Sequence, residues 1–122
     1  MSTELEASQR RRDRRIMQWN KARIQALAGK PCLTLQNGSE AYTYDLSLGG
    51  ARIHSTQLFE VGTLVCLRID LVRSSETVTI EGRVKWARPS EAAGVYEMGV
   101  EFEHSSSQTI MSLMKNLHDN KR

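Results

Sequence analysis

Regular alternation of apolar and polar side chains between Thr77 and Trp86 restricts the fold of this chain more than any other pattern. Val78, Ile80 and Val84 share one side of the segment, whereas polar or charged residues occupy the other. A period of two predicts a half-buried β-strand. Further strands are predicted at residues 32–35, 41–45, 64–71 and 96–102. Another strand is predicted directly after a glycine-rich turn at residues 45–50. About six short strands separated by turn residues are typical of a small antiparallel barrel or sandwich.

The sequence ahead of these strands has a different character. Residues 1–9 show no hydrophobic periodicity and are expected to form a flexible N-terminus. Residues 8–28 are mostly good helix formers without proline or glycine, which favours a helical segment that would include Trp19. Gly29 and Pro31 would end it, because glycine suits the position after a helix and proline blocks continuation.

A second helix is predicted at the C-terminus, over residues 107–118. Ser105 and Gln108 have the spacing of a capping box. Four apolar residues behind them repeat at helical spacing: Ile110, Leu113, Met114 and Leu117. Such a stripe would cover an open end or face of the sheet. Residues 119–122 are expected to form a tail, so the predicted fold is mainly β with a C-terminal helix.

The charge of this chain is unevenly distributed. Its 122 residues suffice for one compact domain and carry a net charge of +3. Residues 9–23 hold seven basic side chains against Asp13 alone, a net +6, so the remainder carries −3. Nucleic-acid-binding domains usually spread positive charge over a face. One cationic segment on an acidic domain is better suited to a local anion clamp.

The two cysteines and the absence of export signals indicate the cytoplasm. No apolar run approaches the roughly 20 residues that a spanning helix needs, and the N-terminus lacks the apolar core of a signal peptide. Cys32 and Cys66 each lie in an apolar stretch, without a second ligand at metal-binding spacing. We therefore expect buried free thiols and no disulfide.

Residue types needed for catalysis or metal binding do not converge in this sequence. The histidines, His54, His104 and His118, are not spaced as metal ligands. Ser47 lacks the Gly-x-Ser-x-Gly context of a nucleophile. Glu97 and two neighbouring glutamates follow the polar face of a strand and are expected to be solvated. We therefore predict that the protein is not an enzyme and that it binds neither a metal ion nor a cofactor.

Two motifs go beyond what a simple domain requires. The first is the arginine segment, residues 10–15, with five guanidinium groups around Asp13. Guanidinium binds phosphate through two parallel hydrogen bonds and stacks on purine rings. The second is the 45–50 turn, in which Asp45, Ser47 and Gly50 form Asp-x-Ser-x-x-Gly. A carboxylate can accept the N1 and N2 hydrogens of guanine, and glycine allows close approach of the backbone. Alone, each motif is also compatible with a solvated basic patch or a simple turn.

In this order and spacing, the two motifs resemble the signature of the PilZ domain family. Val84-Lys-Trp-Ala-Arg88 and Met98-Gly-Val-Glu-Phe102 add to the likeness, which covers residues 10–118. The resemblance implies a bacterial, six-stranded antiparallel PilZ-type barrel that binds the second messenger cyclic di-GMP and changes conformation to signal through an unidentified effector protein.

The resemblance also implies roles for particular residues. Arg11 and Arg15 would bind phosphates and guanine faces, Asp45 and Ser47 would read guanine, and Gly50 would permit close approach. Arg10, just before the pair, is expected to accompany two stacked ligand molecules per chain. Arg10 and Arg14 satisfy the same four-residue spacing, so the register of the pair stays open.

Two other functions remain compatible with the sequence. One is a degenerate PilZ module that binds proteins and not cyclic di-GMP, which the intact motifs argue against. The other is a nucleic-acid binder that uses the arginine segment, for which affinity would fall steeply with salt.

Overall fold

Six antiparallel strands close into a barrel in the computed structural model, which describes residues 19–29, 32, 38–104 and 106–118. The strands are β1 (Asn20–Ala26), β2 (Ser39–Tyr44), β3 (Gly50–Ser55), β4 (Leu64–Leu71), β5 (Glu76–Pro89) and β6 (Tyr96–His104), and a helix, α1 (Ser107–His118), follows. Their order around the barrel is β1-β2-β3-β6-β5-β4. The predicted mainly β architecture with a C-terminal helix is confirmed. The arginine segment, the flexible N-terminus and the tail predicted from the sequence lie outside the described residues.

The first strand lies where the sequence favoured a helix, so that interpretation is wrong for residues 20–26. Asn20, Ala22 and Ile24 point inward, and the residues between them face outward. Lysine, arginine, glutamine and alanine are acceptable in helices, which conceals this alternation. The strand forms because β1 pairs on one edge with β2 and on the other with β4, so both rows of backbone groups are satisfied. Of the strand predicted at 32–35, only Cys32 is described, and it lies in a short 3₁₀ turn.

Inward-facing side chains of all six strands fill the barrel. The fully buried ones include Ile24, Ile53, Leu67, Ile69, Val84 and Met98. Because side chains alternate along a strand, these apolar residues share the interior while their neighbours face water.

Helix α1 covers one end of the barrel through Leu113 and Leu117, which are buried. Ile110 and Met114, predicted on the same stripe, are instead substantially exposed. Ser106 caps this helix, because its Oγ accepts the Thr109 N–H at 3.1 Å. Ser105, with which the predicted capping box began, lies outside the described residues.

Two buried asparagines hold the turn between β4 and β5 against this end. The Asn116 Oδ1 of α1 accepts the N–H groups of Arg73 (3.0 Å) and Ser74 (3.2 Å). The Asn20 Oδ1 accepts the N–H of Val72 at 2.9 Å, while its Nδ2 donates to the Thr43 Oγ1 at 3.2 Å. The helix, the turn and two strands are thus linked through side chains that water cannot reach.

The two cysteines form a disulfide, so the expectation of free thiols is wrong. Cys32 precedes β2 and Cys66 lies in β4, with Cα atoms 5.3 Å apart and a sequence separation of 34. This separation of Cα atoms is within the range that a disulfide spans. Free thiols were predicted from the expected compartment alone, whereas the fold brings the two cysteines close enough to bond.

We expect reduction of this disulfide to lower the free energy of unfolding by about 3–4 kcal/mol, because the bond closes a long loop in the unfolded chain. Urea denaturation with and without dithiothreitol measures the difference. A Cys32→Ser/Cys66→Ser double variant should no longer respond to the reductant. Thiol titration of the unreduced, denatured protein that finds two free thiols would contradict the bond.

Candidate functional site

The 45–50 turn connects β2 to β3 and is held by its own side chains. Asp45 adopts a φ of 67°, in the left-handed region that aspartate tolerates better than most residues. The Ser47 N–H donates to the Gly50 carbonyl at 2.9 Å. The Ser47 Oγ accepts the Gly49 N–H and donates to the Gly50 carbonyl, both at 3.3 Å. The Ser47 hydroxyl therefore shapes the turn, and its contact with a guanine stays a prediction.

Glycine at position 50 is required by the barrel itself. A Cβ on Gly50 would collide with the backbone carbonyl of Val100, which lies on the adjoining strand β6. Any other residue would force β3 and β6 apart at this point. Close approach of a ligand to Gly50 remains a prediction.

The carboxylate of Asp45 is buried and lies beside a guanidinium. The Arg52 Nη2 is 3.3 Å from the Asp45 Oδ2, and only 7% of the Asp45 side chain is exposed. Arg52 projects outward from β3, two residues after the turn ends. The carboxylate predicted to read guanine is thus held in place by a neighbouring cation.

Glu97, a buried glutamate on β6, contacts Arg52, His54 and Arg88. Its Oε2 lies 3.4 Å from the Arg52 Nη1 and 3.7 Å from the His54 Nε2, and its Oε1 accepts the Arg88 Nε–H at 2.9 Å. The expectation that Glu97 is solvated is wrong, because its carboxylate is buried and contacts two guanidinium groups in place of water. Glu101 and Glu103 are exposed, as predicted. Burial alone would raise the pKa of Glu97. The hydrogen bond from Arg88 and the charges of Arg88, Arg52 and His54 outweigh it and hold that pKa below its usual value.

An open cleft of about 570 Å³ lies beside the turn. Its lining includes Asp45, Ser47, Gly50, Arg52, Lys85, Trp86 and Glu101. The indole of Trp86 lies across Gly99, where a Cβ would collide with the ring, and the Arg88 Cζ lies 5.1 Å from the ring centroid. The cleft thus combines an aromatic surface, carboxylates and cations within the size range of small-molecule sites.

A cluster of aromatic rings lies where the chain enters the barrel. The Trp19 ring centroid is 4.7 Å from that of Tyr44 and 4.9 Å from that of His54. The antiparallel register places Asn20 opposite Thr43, so the start of β1 lies beside the end of β2. Trp19 consequently lies close to Asp45, which directly follows β2. Of the predicted site residues, the structure brings Asp45, Ser47 and Gly50 together.

Sequence reasoning missed the residues that surround the turn. Arg52, Trp86 and Arg88 stood within stretches typical of the resemblance, but their contacts depend on strand pairing. The register sets His54 opposite Glu97 and Arg52 opposite Gly99, across more than 40 residues of sequence. Period-two alternation could have placed Arg52 and His54 on one outward face; nothing local indicated their carboxylate partner.

Comparison with known proteins identifies the family of this chain. The model of the PilZ domain matches residues 9–117, which includes both motifs and the whole barrel. The chain belongs to the PilZ domain family. PilZ domains are cyclic di-GMP-binding modules and are generally not enzymes. None of the curated proteins matches this PilZ sequence.

Solved structures similar to this PilZ chain include the following two. One is the Bacillus subtilis inhibitor of motility (MotI/DgrA), at 19% identity and a TM-score of 0.68; the match covers 93% of this chain and 53% of MotI. This chain therefore spans about half the length of MotI. The other is the PilZ domain of CeSA from a cellulose-synthesizing bacterium, at 18% identity and a TM-score of 0.54, covering 84% of this chain and 93% of that one. At these identities the likeness establishes the fold.

The described residues also bear on metal binding and on membrane crossing. Among them, no group of three or more histidine, cysteine, aspartate and glutamate side chains could hold a metal ion. Their helix is also too short and too polar to cross a bilayer.

We expect Glu97→Gln to lower the free energy of unfolding by roughly 1–3 kcal/mol near pH 7, because Arg52 and Arg88 lose their shared anion. The pKa of Glu97 is lower in the folded than in the unfolded protein. The stability from its charge is therefore present above the unfolded-state pKa and is lost as the pH falls through the folded pKa. Urea denaturation of both proteins at pH 7 and below pH 4 measures this change.

Glu101→Gln is the matched control, because Glu101 lies on the same strand but is exposed and pairs with Lys85. It should have little effect at either pH. A Glu97→Gln deficit of equal size at both pH values would show that charge is not the cause.

Proposed function

We propose that this protein is a bacterial cyclic di-GMP receptor and catalyses no reaction. The observation that carries the proposal is the placement of the Asp45 carboxylate and the Trp86 ring on one cleft, near the start of β1, the strand that the arginine segment precedes in sequence. The family of the chain supports the same ligand.

Each chemical part of the ligand has a suitable partner around the cleft. The Asp45 carboxylate accepts the N1 and N2 hydrogens of guanine, and Trp86 offers a flat surface to a purine ring. Because a carboxylate has about four acceptor positions, Asp45 can bind guanine while Arg52 retains one oxygen. Arg11 and Arg15 bind the phosphates from the segment that precedes Trp19, assisted by the ionised Arg52.

The protein acts as an adaptor. Ligand phosphates draw the arginine segment onto the cleft, and the resulting change of conformation creates a surface for an effector protein. A module that binds only proteins would lack this ligand response. A nucleic-acid binder would respond to salt and be indifferent to guanine.

Calorimetric titration with cyclic di-GMP, with GTP as the control ligand, tests the proposal. Arg11→Ala, Arg15→Ala and Asp45→Ala should each weaken binding roughly tenfold to a hundredfold, because each removes a charge-assisted hydrogen bond worth ~1.5–3 kcal/mol. The unfolding midpoints of these variants should confirm that the barrel is intact.

Arg68→Ala is the matched control, since Arg68 is exposed on β4 and does not line the cleft. It should bind as the wild type does. Wild-type affinity in Asp45→Ala would contradict guanine reading by that carboxylate. Absence of any binding to the wild type would contradict the receptor function and leave the protein-interaction module and the nucleic-acid binder as alternatives.

We further expect two cyclic di-GMP molecules per chain, bound as a stacked pair. Two molecules carry four phosphates, and Arg10 supplies a third guanidinium ahead of Arg11 and Arg15. Arg10→Leu should shift the calorimetric stoichiometry from two towards one while retaining binding. Saturation of the wild type at one ligand per chain would contradict the pair but not the receptor function.

A further inference from the structure

Trp19 occupies a position where the barrel does not require a large ring. Residues 21 and 23, which share the outward side of β1, are the exposed Lys21 and Arg23. The Trp19 side chain is 49% exposed, so it contributes little to the buried core. It nevertheless contacts two rings closely, Tyr44 at 4.7 Å and His54 at 4.9 Å between centroids. The contacts of Trp19 with these rings therefore have a role other than filling the core.

The two rings that hold Trp19 are connected to the cleft. Tyr44 is the last residue of β2 and directly precedes Asp45. His54 lies against Glu97, which also contacts Arg52, the cation paired with Asp45. Trp19 is therefore packed on elements whose positions are fixed relative to the Asp45 carboxylate.

The chain between the arginine segment and Trp19 is short, so the packing of Trp19 limits how far that segment can lie from it. Arg15 precedes Trp19 by four residues, and an extended chain advances at most ~3.3–3.6 Å per residue. A fixed Trp19 thus confines the Arg15 Cα to within about 14 Å of its own. If Trp19 were free, the segment would be held only from Asn20, the first paired residue of β1.

We propose that Trp19 is a positioning residue that anchors the arginine segment beside the cleft by packing on Tyr44 and His54. This inference rests on the proposed function in that the segment is taken to bind the phosphates. Anchoring reduces the conformational freedom that the segment loses when the ligand binds, which raises affinity without a contact between Trp19 and the ligand.

Calorimetry on Trp19→Ala and Trp19→Phe tests the effect on affinity. Trp19→Ala should bind cyclic di-GMP about three- to tenfold more weakly, the value of an aromatic pair, while Trp19→Phe keeps the stacking and stays within about twofold of the wild type. Leu58→Ala, at a similarly exposed apolar residue, is the control and should bind normally. Equal binding by Trp19→Ala and the wild type would overturn the proposal.

A double-mutant cycle separates positioning from direct contact. If Trp19 acts through the arginine segment, its loss should cost much less once Arg15 is already alanine. Additive losses in the Trp19→Ala/Arg15→Ala variant would overturn the proposal.

Trypsin digestion of the ligand-free protein tests anchoring without any nucleotide. The arginine segment offers several trypsin sites, and Trp19→Ala should be cut there several-fold faster than the wild type, with Trp19→Phe close to the wild type. Equal cleavage rates would overturn the anchoring. Because this measurement needs no ligand, failure of the wild type to bind cyclic di-GMP would reject the proposed function and leave the anchoring to be decided by proteolysis.

Discussion

Pairing of β1 with both β2 and β4 is the constraint on which the site depends. It closes the barrel, and its antiparallel register sets the first residue of β1 beside the last residues of β2. Trp19 and the 45–50 turn consequently lie at one edge of the barrel without a dedicated loop. In a sheet left open between β1 and β2, Trp19 and the 45–50 turn would have no fixed relation.

The electrostatics of the site centre on a carboxylate that neither motif contains. Glu97 lies between Arg52 and Arg88, so two guanidiniums are held beside the cleft at the cost of one buried anion. The contacts with Glu97 hold both guanidinium groups in place before any anionic ligand binds. The same carboxylate reaches His54, which connects this charged group to the aromatic rings at the chain entry.

The sequence predicted those parts of the fold that depend on neighbouring residues. Alternation over residues 77–86 and the apolar residues of α1 are local patterns, and β5 and the helix lie where they indicated. The strand β1 was missed because its inward residues include a polar asparagine and a small alanine, which weaken the period of two. The disulfide and the environment of Glu97 depend on register between distant strands, and no local pattern encodes register. The turn was located, but the cation beside Asp45 was not.

The contact between Gly50 and the Val100 carbonyl changes how the second motif is interpreted in related sequences. A glycine there is demanded by the closeness of two backbones, whether or not a nucleotide is ever bound. Selection for a foldable barrel alone would preserve it. A PilZ sequence that has kept only the glycine is therefore evidence of shared architecture, and its diagnostic value for messenger sensing is small.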